Sequence, residues 1–485
     1  MTLDTQRRWV AFYVLCLGTL MVVLDTTIVN VALPSIRESL GFSEASLAWV
    51  VNAYMLTFGG FLLLGGRLGD LYGHRRVFIL GIALFTLASI ACGLSTTQEM
   101  LISARAVQGV GGALASAVGL SLIMTLFTEP MERARAMGIT GFVASGGGAV
   151  GVLLGGVLTD VLNWHWIFLV NVPVGVLVCA LMVRLVPESH NDGAPRRLDV
   201  LGAVTITASL MLAVDAVVNT TEYGWTSGRT LGLLAVAAAL FASFVVVESR
   251  QSAPLMRFSM FRSRSLATAN VVGVLWAAGM FAWFFMSALY LQQVLGYDAL
   301  EVGLAFLPAN VVMAVCSVSV SARLVMRFGF RIPLVAGLAT AAVGLLLFAR
   351  APVGGSFAVD VLPSMVLLGL GAGIAFNPVL MAAMNDVAPE DSGLASGLVN
   401  TSFMMGGALG LAVLASIAAS GADGSTAPAA LLDGYHAAFL VGAVLAGLAA
   451  AIGGAGLRGR PRAGTHESGD GAWDVGLEPE IQGAC

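Results

Sequence analysis

The sequence predicts an all-α, polytopic membrane protein in which two six-helix bundles are separated by two extra transmembrane helices. Three observations predict this fold: the composition, a succession of apolar segments, and an internal repeat. The chain has 485 residues, of which 58% are hydrophobic and only 11% are charged, with a mean hydropathy of +0.90. A soluble protein carries about a quarter charged residues. So few charges cannot cover a water-facing surface of this size.

The apolar segments are long enough to cross a bilayer, which takes roughly 20 residues per helix. Fourteen of them follow one another along the chain: 9–33, 47–66, 77–95, 100–127, 136–161, 166–186, 198–218, 230–247, 266–294, 302–326, 332–349, 361–384, 393–419 and 436–455.

The arginines predict the orientation of these segments. All 24 basic residues are arginine. If the N-terminus is cytoplasmic, Arg37, Arg229 and Arg350 face outward and Arg105 lies within a span, which leaves twenty (24 minus these four) on the cytoplasmic side. Cytoplasmic loops of membrane proteins carry such an excess. We therefore expect a multi-pass protein with both termini in the cytoplasm. The lack of lysine and the abundance of Ala, Gly and Val suggest a GC-rich bacterial genome, and hence the bacterial cytoplasmic membrane.

An internal repeat relates segments about 256–259 residues apart. Glycines and a proline at 112, 130, 138, 147, 148 and 151 line up with those at 371, 389, 397, 406, 407 and 410. Such halves rock around a central site in transporters. The repeat predicts a bundle at 1–197, two inserted helices at 198–250, a bundle at 251–457 and a disordered cytoplasmic tail at 458–485.

Asp25 places a carboxylate inside the first apolar segment. A charge at that depth costs a few kcal/mol, about 2.5–3.5 on insertion scales, and usually faces a polar cavity that serves transport or proton movement. The alternative is that Asp25 sits near the outer interface and is partly solvated.

Arg105, in the fourth segment, is predicted to lie at a similar depth. Asp25 lies eight residues before the predicted outer end of its helix, or ~12 Å, and Arg105 about six residues inside its own, or ~9 Å. A neighbouring cation favours the ionised carboxylate, whereas desolvation favours the neutral form. Alternating access to water therefore lets Asp25 load and release a proton. A static structural pair, or contact of Asp25 with a cationic substrate, are the alternatives.

Three short motifs carry a resemblance to a known family. The segments 24–34 (LDTTIVNVALP), 66–76 (GRLGDLYGHRR) and 105–109 (RAVQG) resemble signatures of the major facilitator superfamily, in its fourteen-helix drug:proton antiporter branch. The segments 164–175 and 290–308 also resemble sequences of this branch. The resemblance implies export of hydrophobic small molecules, driven by the proton gradient without a cofactor, and assigns Arg105 to proton coupling. It also implies that Gly66, Asp70, Gly73, Arg75 and Arg76 form a cytoplasmic gate that latches the bundles together.

Two departures from the branch stand out. Val152 takes the place of a proline in the fifth helix, which restores a backbone donor and favours a straighter helix. In helix 13, Phe403 and Met404 follow 400–402 (NTS) where the branch has Arg-Gln. This change favours an apolar or aromatic substrate over an anionic one.

Glycines and in-span polar side chains supply the remaining candidates. Gly147, Gly151, Gly155 and Gly156, spaced about four apart, predict close helix packing rather than nucleotide binding, because no strand precedes them. Amphipathic rings and amides are candidate substrate contacts, although each is also compatible with packing between helices or an interface belt. They are Asn30, Asn52, Tyr54, Trp276, Trp283, Tyr290, Gln292, Asn310, Phe376, Asn377 and Asn400.

Other classes of function fit the sequence less well. The five histidines and five cysteines lack ligand spacing, so we expect no metal site and no enzyme. No phosphate-binding loop indicates an ATP-driven pump, and a channel needs no pair of six-helix repeats. The main alternative is a proton-coupled uptake symporter for a small nutrient or metabolite. We expect a monomer whose partners are a hydrophobic small molecule, protons and lipid, with no nucleic acid.

Overall fold

The computed structural model describes residues 5–127, 129–186, 199–251, 256, 258–385, 387, 392–422 and 427–457. Within these residues every regular element is a helix and no strand occurs. Fourteen helices are long and apolar enough to cross a membrane, so the predicted number is confirmed. The predicted tail at 458–485 and the predicted boundary at 197/198 lie outside the described residues.

The fourteen helices are numbered here in chain order. They are α1 (Thr5–Leu40), α2 (Trp49–Tyr72), α3 (His74–Gly93), α4 (Gln98–Leu126), α5 (Pro130–Val161), α6 (Asn171–Leu185), α7 (Val200–Val218), α8 (Gly228–Arg250), α9 (Arg264–Leu289), α10 (Ala299–Val315), α11 (Arg331–Phe348), α12 (Leu362–Met384), α13 (Ser392–Ala422) and α14 (Pro428–Gly456).

Short helical pieces extend or join several of these helices. A π-helical turn at Tyr290–Val294 continues α9, and another at Phe357–Val361 precedes α12. The α10 helix continues through a π-helical turn at Cys316–Ser321 into a final stretch at Ala322–Phe328. One-turn helices precede α2 and α6, one links α7 to α8, and a 3-10 turn precedes α9.

The end of α1 differs from the prediction. The helix runs to Leu40 and contains Pro34, whereas the apolar segment predicts an end near Leu33. Leu33 and Ile36 are both fully buried on either side of the proline. Packing on this face keeps the helix continuous, although Pro34 supplies no backbone donor.

Matching glycine contacts relate the two halves of the chain. In the first half a Cβ at Gly81 would lie 2.8 Å from the Gly111 carbonyl oxygen, and in the second a Cβ at Gly337 would lie 2.8 Å from that of Gly371. Helices α3 and α4 therefore cross as α11 and α12 do. The predicted alignment of Gly112 with Gly371 is wrong by one residue, because Gly111 makes the equivalent contact.

The two halves meet along two seams, α2 with α13 and α5 with α10. A Cβ at Gly148 on α5 would lie 3.3 Å from Asn310 Oδ1 on α10, and one at Gly407 on α13 would lie 2.6 Å from Met55 Cε on α2. These two contacts occupy equivalent places in the two seams.

The inserted helices lie on the seam between α2 and α13. Helix α7 packs against both, since Thr207 closely approaches Gly60 of α2 and Ser416 Oγ of α13 donates to the Val217 carbonyl oxygen at 2.9 Å. Helix α8 packs against α7, where Ser209 Oγ donates a hydrogen bond to a carbonyl oxygen of α8 at 2.7 Å. Only α7 of the pair therefore bridges both halves among the described helices.

Candidate functional site

A fully buried carboxylate stands at the centre of the first half. Asp25 on α1 is 0% exposed and accepts hydrogen bonds from three side chains. Its Oδ2 accepts from Arg105 Nη1 at 2.5 Å, and its Oδ1 accepts from Gln108 Nε2 at 2.7 Å and from Asn171 Nδ2 at 3.3 Å. Buried charges are stable only when they are paired and hydrogen-bonded in this way. The alternative of a partly solvated, interfacial Asp25 is wrong for this structure.

Arg105 is held from several sides. The guanidinium is 1% exposed, and its Nε donates to the Val50 carbonyl oxygen of α2 at 3.0 Å. Its Nη1 also donates to Gln108 Oε1 at 2.7 Å. The Tyr54 ring lies 4.4 Å from the guanidinium carbon, within range of a cation–π contact. The cation is therefore positioned by α2 as well as by Asp25.

Gln108 links the pair to a third helix. Its Nε2 donates both to Asp25 and to Ser89 Oγ of α3, the latter at 2.8 Å. Its Oε1 also accepts a weak hydrogen bond from Cys92 Sγ, with 3.7 Å between the two atoms. The amide therefore contacts both members of the ion pair and connects them to α3.

The structure brings Asp25 and Arg105 together, although the depth arithmetic for α1 is wrong. Because α1 ends at Leu40, Asp25 lies 15 residues (40 minus 25) from that end, or ~22 Å. Arg105 lies seven residues (105 minus 98) inside α4, or ~10 Å, close to the prediction. The contact forms because α1 extends beyond the start of α4.

Two side chains that donate to Asp25 are missing from the sequence-based candidates. Gln108 lies three residues after Arg105, which places both on the same face of α4. That spacing is a signal within the RAVQG motif. Asn171 stands at the first position of α6, within the 164–175 segment. The only feature of the sequence that could have identified Asn171 is its polar side chain within an otherwise apolar run.

The predicted gate begins at the end of α2. Asp70 Oδ1 lies 3.4 Å from His74 Nε2, across a sharp turn at Gly73 whose φ of 100° favours glycine. A Cβ at Gly66 would meet nothing within 4 Å, so packing does not require a glycine there. The carboxylate of Asp70 is 39% exposed and accessible to solvent.

The two arginines of the predicted gate follow at the start of α3. Arg75 Nη1 donates to the Val186 carbonyl oxygen at 3.0 Å, which ties the turn to the end of α6 in the same half. Arg76 is exposed. A latch between the halves stays a prediction for this group.

The four glycines of α5 lie at its contacts with other helices. Gly147, Gly151 and Gly155 face α1, and Gly156 faces the start of α10. A Cβ at Gly155 would lie 2.7 Å from the Ile28 carbonyl oxygen, closer than real Cβ atoms approach. Backbone therefore packs on backbone here, which needs the smallest side chain.

Three of the candidate substrate contacts are engaged in bonds within the protein. Gln292 Nε2 donates to the Val31 carbonyl oxygen at 2.9 Å, which joins the end of α9 to α1 across the two halves. Tyr290 donates its hydroxyl hydrogen to the Pro352 carbonyl oxygen at 2.9 Å. Asn30 donates to carbonyl oxygens of its own helix. The first of these bonds closes one end of the interface between the halves.

Four other candidates are buried with polar atoms that have no hydrogen-bond partner in the described part of the chain. These atoms are both side-chain heteroatoms of Asn52, the Tyr54 hydroxyl, Trp283 Nε1 and Asn310 Oδ1. Asn377, in contrast, donates at 2.8 Å to a backbone oxygen of the π-helical turn that continues α10.

The remaining candidates meet in the second half. Trp276, Phe376 and Asn400 line a recess between α9, α12 and α13, together with Phe403. Asn400 Nδ2 donates to a carbonyl oxygen of its own helix at 3.0 Å. The recess has a volume of about 10 Å³, enough for at most one water molecule. No acidic or basic side chain lines it among the described residues.

The fold and these sites define a membrane transporter built from two related six-helix halves. The sequence model of the Major Facilitator Superfamily matches residues 15–411, and the chain belongs to this family. The predicted family is therefore confirmed.

Similar proteins are exporters and resistance proteins. The chain is 40% identical over 442 residues to the cephamycin export protein CmcT of Amycolatopsis lactamdurans, covering 90% of each chain. It is 40% identical over 452 residues to the puromycin resistance protein pur8 of Streptomyces alboniger, again with 90% of each chain covered. Solved structures share the fold. The human organic anion transporter MFSD10 aligns with a TM-score of 0.64 at 17% identity, covering 93% of this chain and 100% of that one.

Proposed function

We propose that the protein exports hydrophobic small molecules of the drug or antibiotic class across the bacterial cytoplasmic membrane by alternating access. Similarity over 90% of its length to a cephamycin exporter and a puromycin resistance protein supports export over uptake. Protons that enter along their gradient drive the cycle, with no other cofactor. The chain works as a transporter, not an enzyme, and acts as a monomer.

The observation that carries proton coupling is the fully buried carboxylate of Asp25 beside Arg105. A proton that binds Asp25 removes the charge that Arg105 faces. The three bonds that the carboxylate accepts from Arg105, Gln108 and Asn171 are then weakened, because the acceptor is no longer charged. Arg105 keeps its bonds to Gln108 and to the Val50 carbonyl oxygen, so it stays in place while α1 is released. Loading and release of one proton therefore changes how tightly α1 is held to α4.

The closed end of the interface lies on the outer side of the membrane in the proposed orientation. The Gln292 bond to α1 and the contact of Gly156 with the start of α10 join the halves near the C-terminal half of α1. The arginine distribution supports cytoplasmic termini. With that orientation the closed end is the outer one.

The test is efflux of lipophilic dyes and antibiotics from efflux-deficient bacterial cells under a controlled proton gradient. Wild type, Asp25→Asn and Asp215→Asn are compared at equal expression. Asp215 is a matched control, because it is also an acidic residue within a span, and its carboxylate accepts a local hydrogen bond from Asn219 Nδ2 at 2.9 Å. We expect wild type and Asp215→Asn to extrude at least one compound, and an uncoupler to abolish this extrusion.

The outcomes test two parts of the proposal separately: proton coupling through Asp25 and the direction of transport. Asp25→Asn is expected to lose gradient-driven extrusion. Extrusion at the wild-type rate by Asp25→Asn would show that the carboxylate does not couple protons. Gradient-driven accumulation, instead of loss, of a compound in wild-type cells would show an uptake symporter.

A further inference from the structure

The recess in the second half has an aromatic wall and one open side. Phe376 and Phe403 meet edge to face with ring centroids 5.9 Å apart, and Phe281 packs on Phe403 at 5.8 Å. Phe376 is 38% exposed, whereas Phe403 is buried. The floor is apolar, formed by Val379 and Leu380. A flat ring that lies over Phe376 therefore finds apolar and aromatic surface behind it.

Trp276 also lines the recess and carries a buried donor. Trp276 is 1% exposed, and its Nε1–H has no hydrogen-bond partner in the described part of the chain. Buried polar groups almost always have a partner, and an unsatisfied one costs free energy. The indole hydrogen therefore lacks an acceptor in the described part of the chain.

The internal repeat relates the position of Trp276 on α9 to an equivalent position on α1 in the first half. Gly147 of α5 packs on Val23 as Gly406 of α13 packs on Val274, which relates α1 to α9 by a shift of 251 residues (274 minus 23). The same shift places Trp276 at the position of Asp25 (25 plus 251).

The partners of Asp25 have apolar counterparts in the second half. The Gly111 and Gly371 contacts relate α4 to α12 by 260 residues (371 minus 111). That shift places the buried Met365 and Leu368 where the first half has Arg105 and Gln108. The second half therefore offers a neutral donor without an internal acceptor, in the place where the first half holds a saturated ion pair.

We propose that the recess between α9, α12 and α13 is a subsite for a planar, uncharged aromatic group that carries a hydrogen-bond acceptor, such as a ring ketone. The acceptor oxygen takes the hydrogen of Trp276 Nε1, and the ring lies over the exposed part of Phe376. The small volume of the recess admits only the polar edge of the group. This inference rests on the proposed export function and specifies the substrate class.

The test measures binding without transport. The full chain in lipid nanodiscs is equilibrated by dialysis with 9-fluorenone or with fluorene, and binding to empty nanodiscs is subtracted. The two probes share a flat three-ring shape, but only fluorenone has a carbonyl oxygen. Trp276→Phe keeps a ring and removes the N–H. Trp164→Phe is the control, because Trp164 is a buried tryptophan of the first half that does not line the recess.

We expect wild type to bind fluorenone more tightly than fluorene. Trp276→Phe should weaken fluorenone binding by about tenfold, the loss of one buried hydrogen bond, and leave fluorene binding unchanged. Trp164→Phe should bind both probes as wild type does. A negatively charged carboxylate derivative of fluorenone should bind less tightly than fluorenone.

Three results would overturn the subsite: no fluorenone binding to wild type, an equal loss for both probes in Trp276→Phe, or the same loss in Trp164→Phe. Melting temperatures of the variants identify any general loss of folding. Fluorenone binding that depends on Trp276, without export of any compound from cells, would instead refute the proposed function and leave the subsite intact.

Discussion

Removal of one charge from the Asp25–Arg105 pair should destabilise the protein far more than removal of both. Asp25→Asn leaves the Arg105 guanidinium 1% exposed without a counter-charge, and Arg105→Met leaves a fully buried carboxylate with only amide donors. Breaking a buried ion pair at one partner costs about 3–5 kcal/mol, because the other charge stays buried. The double variant buries no charge, so its cost should fall below that of either single variant.

The magnitude follows from the bonds each change removes. Two charges a few ångströms apart interact by about 4 kcal/mol at an effective dielectric constant near 20. The two charge-assisted bonds that Gln108 and Asn171 donate to Asp25 moderate the cost of Arg105→Met. We therefore expect a coupling energy of about 3 kcal/mol between the two substitutions, at the upper end for residues in contact.

The assay is thermal melting of the purified protein in detergent, followed by size-exclusion fluorescence, for wild type, both single variants and the double variant. Asp215→Asn serves as the control and should change stability by less than about 0.5 kcal/mol, as a locally bonded residue near a helix end does. The double variant should melt above both single variants. A double variant that melts at the sum of the two single losses would refute the reasoning, because it would show that the two groups are not coupled.

Two further changes test helix packing and the closed end. Gly155→Ala should lower stability by about 1–3 kcal/mol, since its Cβ would lie 2.7 Å from the Ile28 carbonyl oxygen. Gly141→Ala is the control and should leave stability unchanged, because a Cβ there would meet nothing within 4 Å. Thermal melting measures both variants. Gln292→Ala removes a hydrogen bond between the halves that contributes about 1 kcal/mol. Distances between spin labels placed on the two halves at this end should therefore increase. Gln293→Ala is the control and should leave these distances unchanged, because it loses a bond to Tyr435 within one half.

The fourteen helices were predictable because the length and hydrophobicity of each segment are enough to identify it as a membrane span. The Asp25–Arg105 contact was predictable because a charge within a span needs a partner, and the spans offered few. Helix ends were less predictable, since packing around Pro34 carried α1 past the residue where its sequence suggests a stop. Local signals at a helix end compete there with burial that depends on neighbouring helices.

Neutral polar partners could not be predicted with the same certainty. An amide within a span has two ways to satisfy its hydrogen bonds. Asn30 and Asn400 donate to carbonyl oxygens of their own helices, whereas Asn171 donates to another helix. The sequence around these asparagines does not separate the two behaviours, because the choice depends on which side chain a neighbouring helix presents.

The pair formed by α7 and α8 has a consequence for how such a chain is assembled in the membrane. Two crossings return the chain to the side it left, so the second half enters the bilayer in the same direction as the first. Only then do Gly148 with Asn310, and Gly407 with Met55, form equivalent contacts about one axis along the membrane normal. A single inserted helix would turn the second half upside down and remove both seams. Insertions at this junction are therefore restricted to an even number of spans.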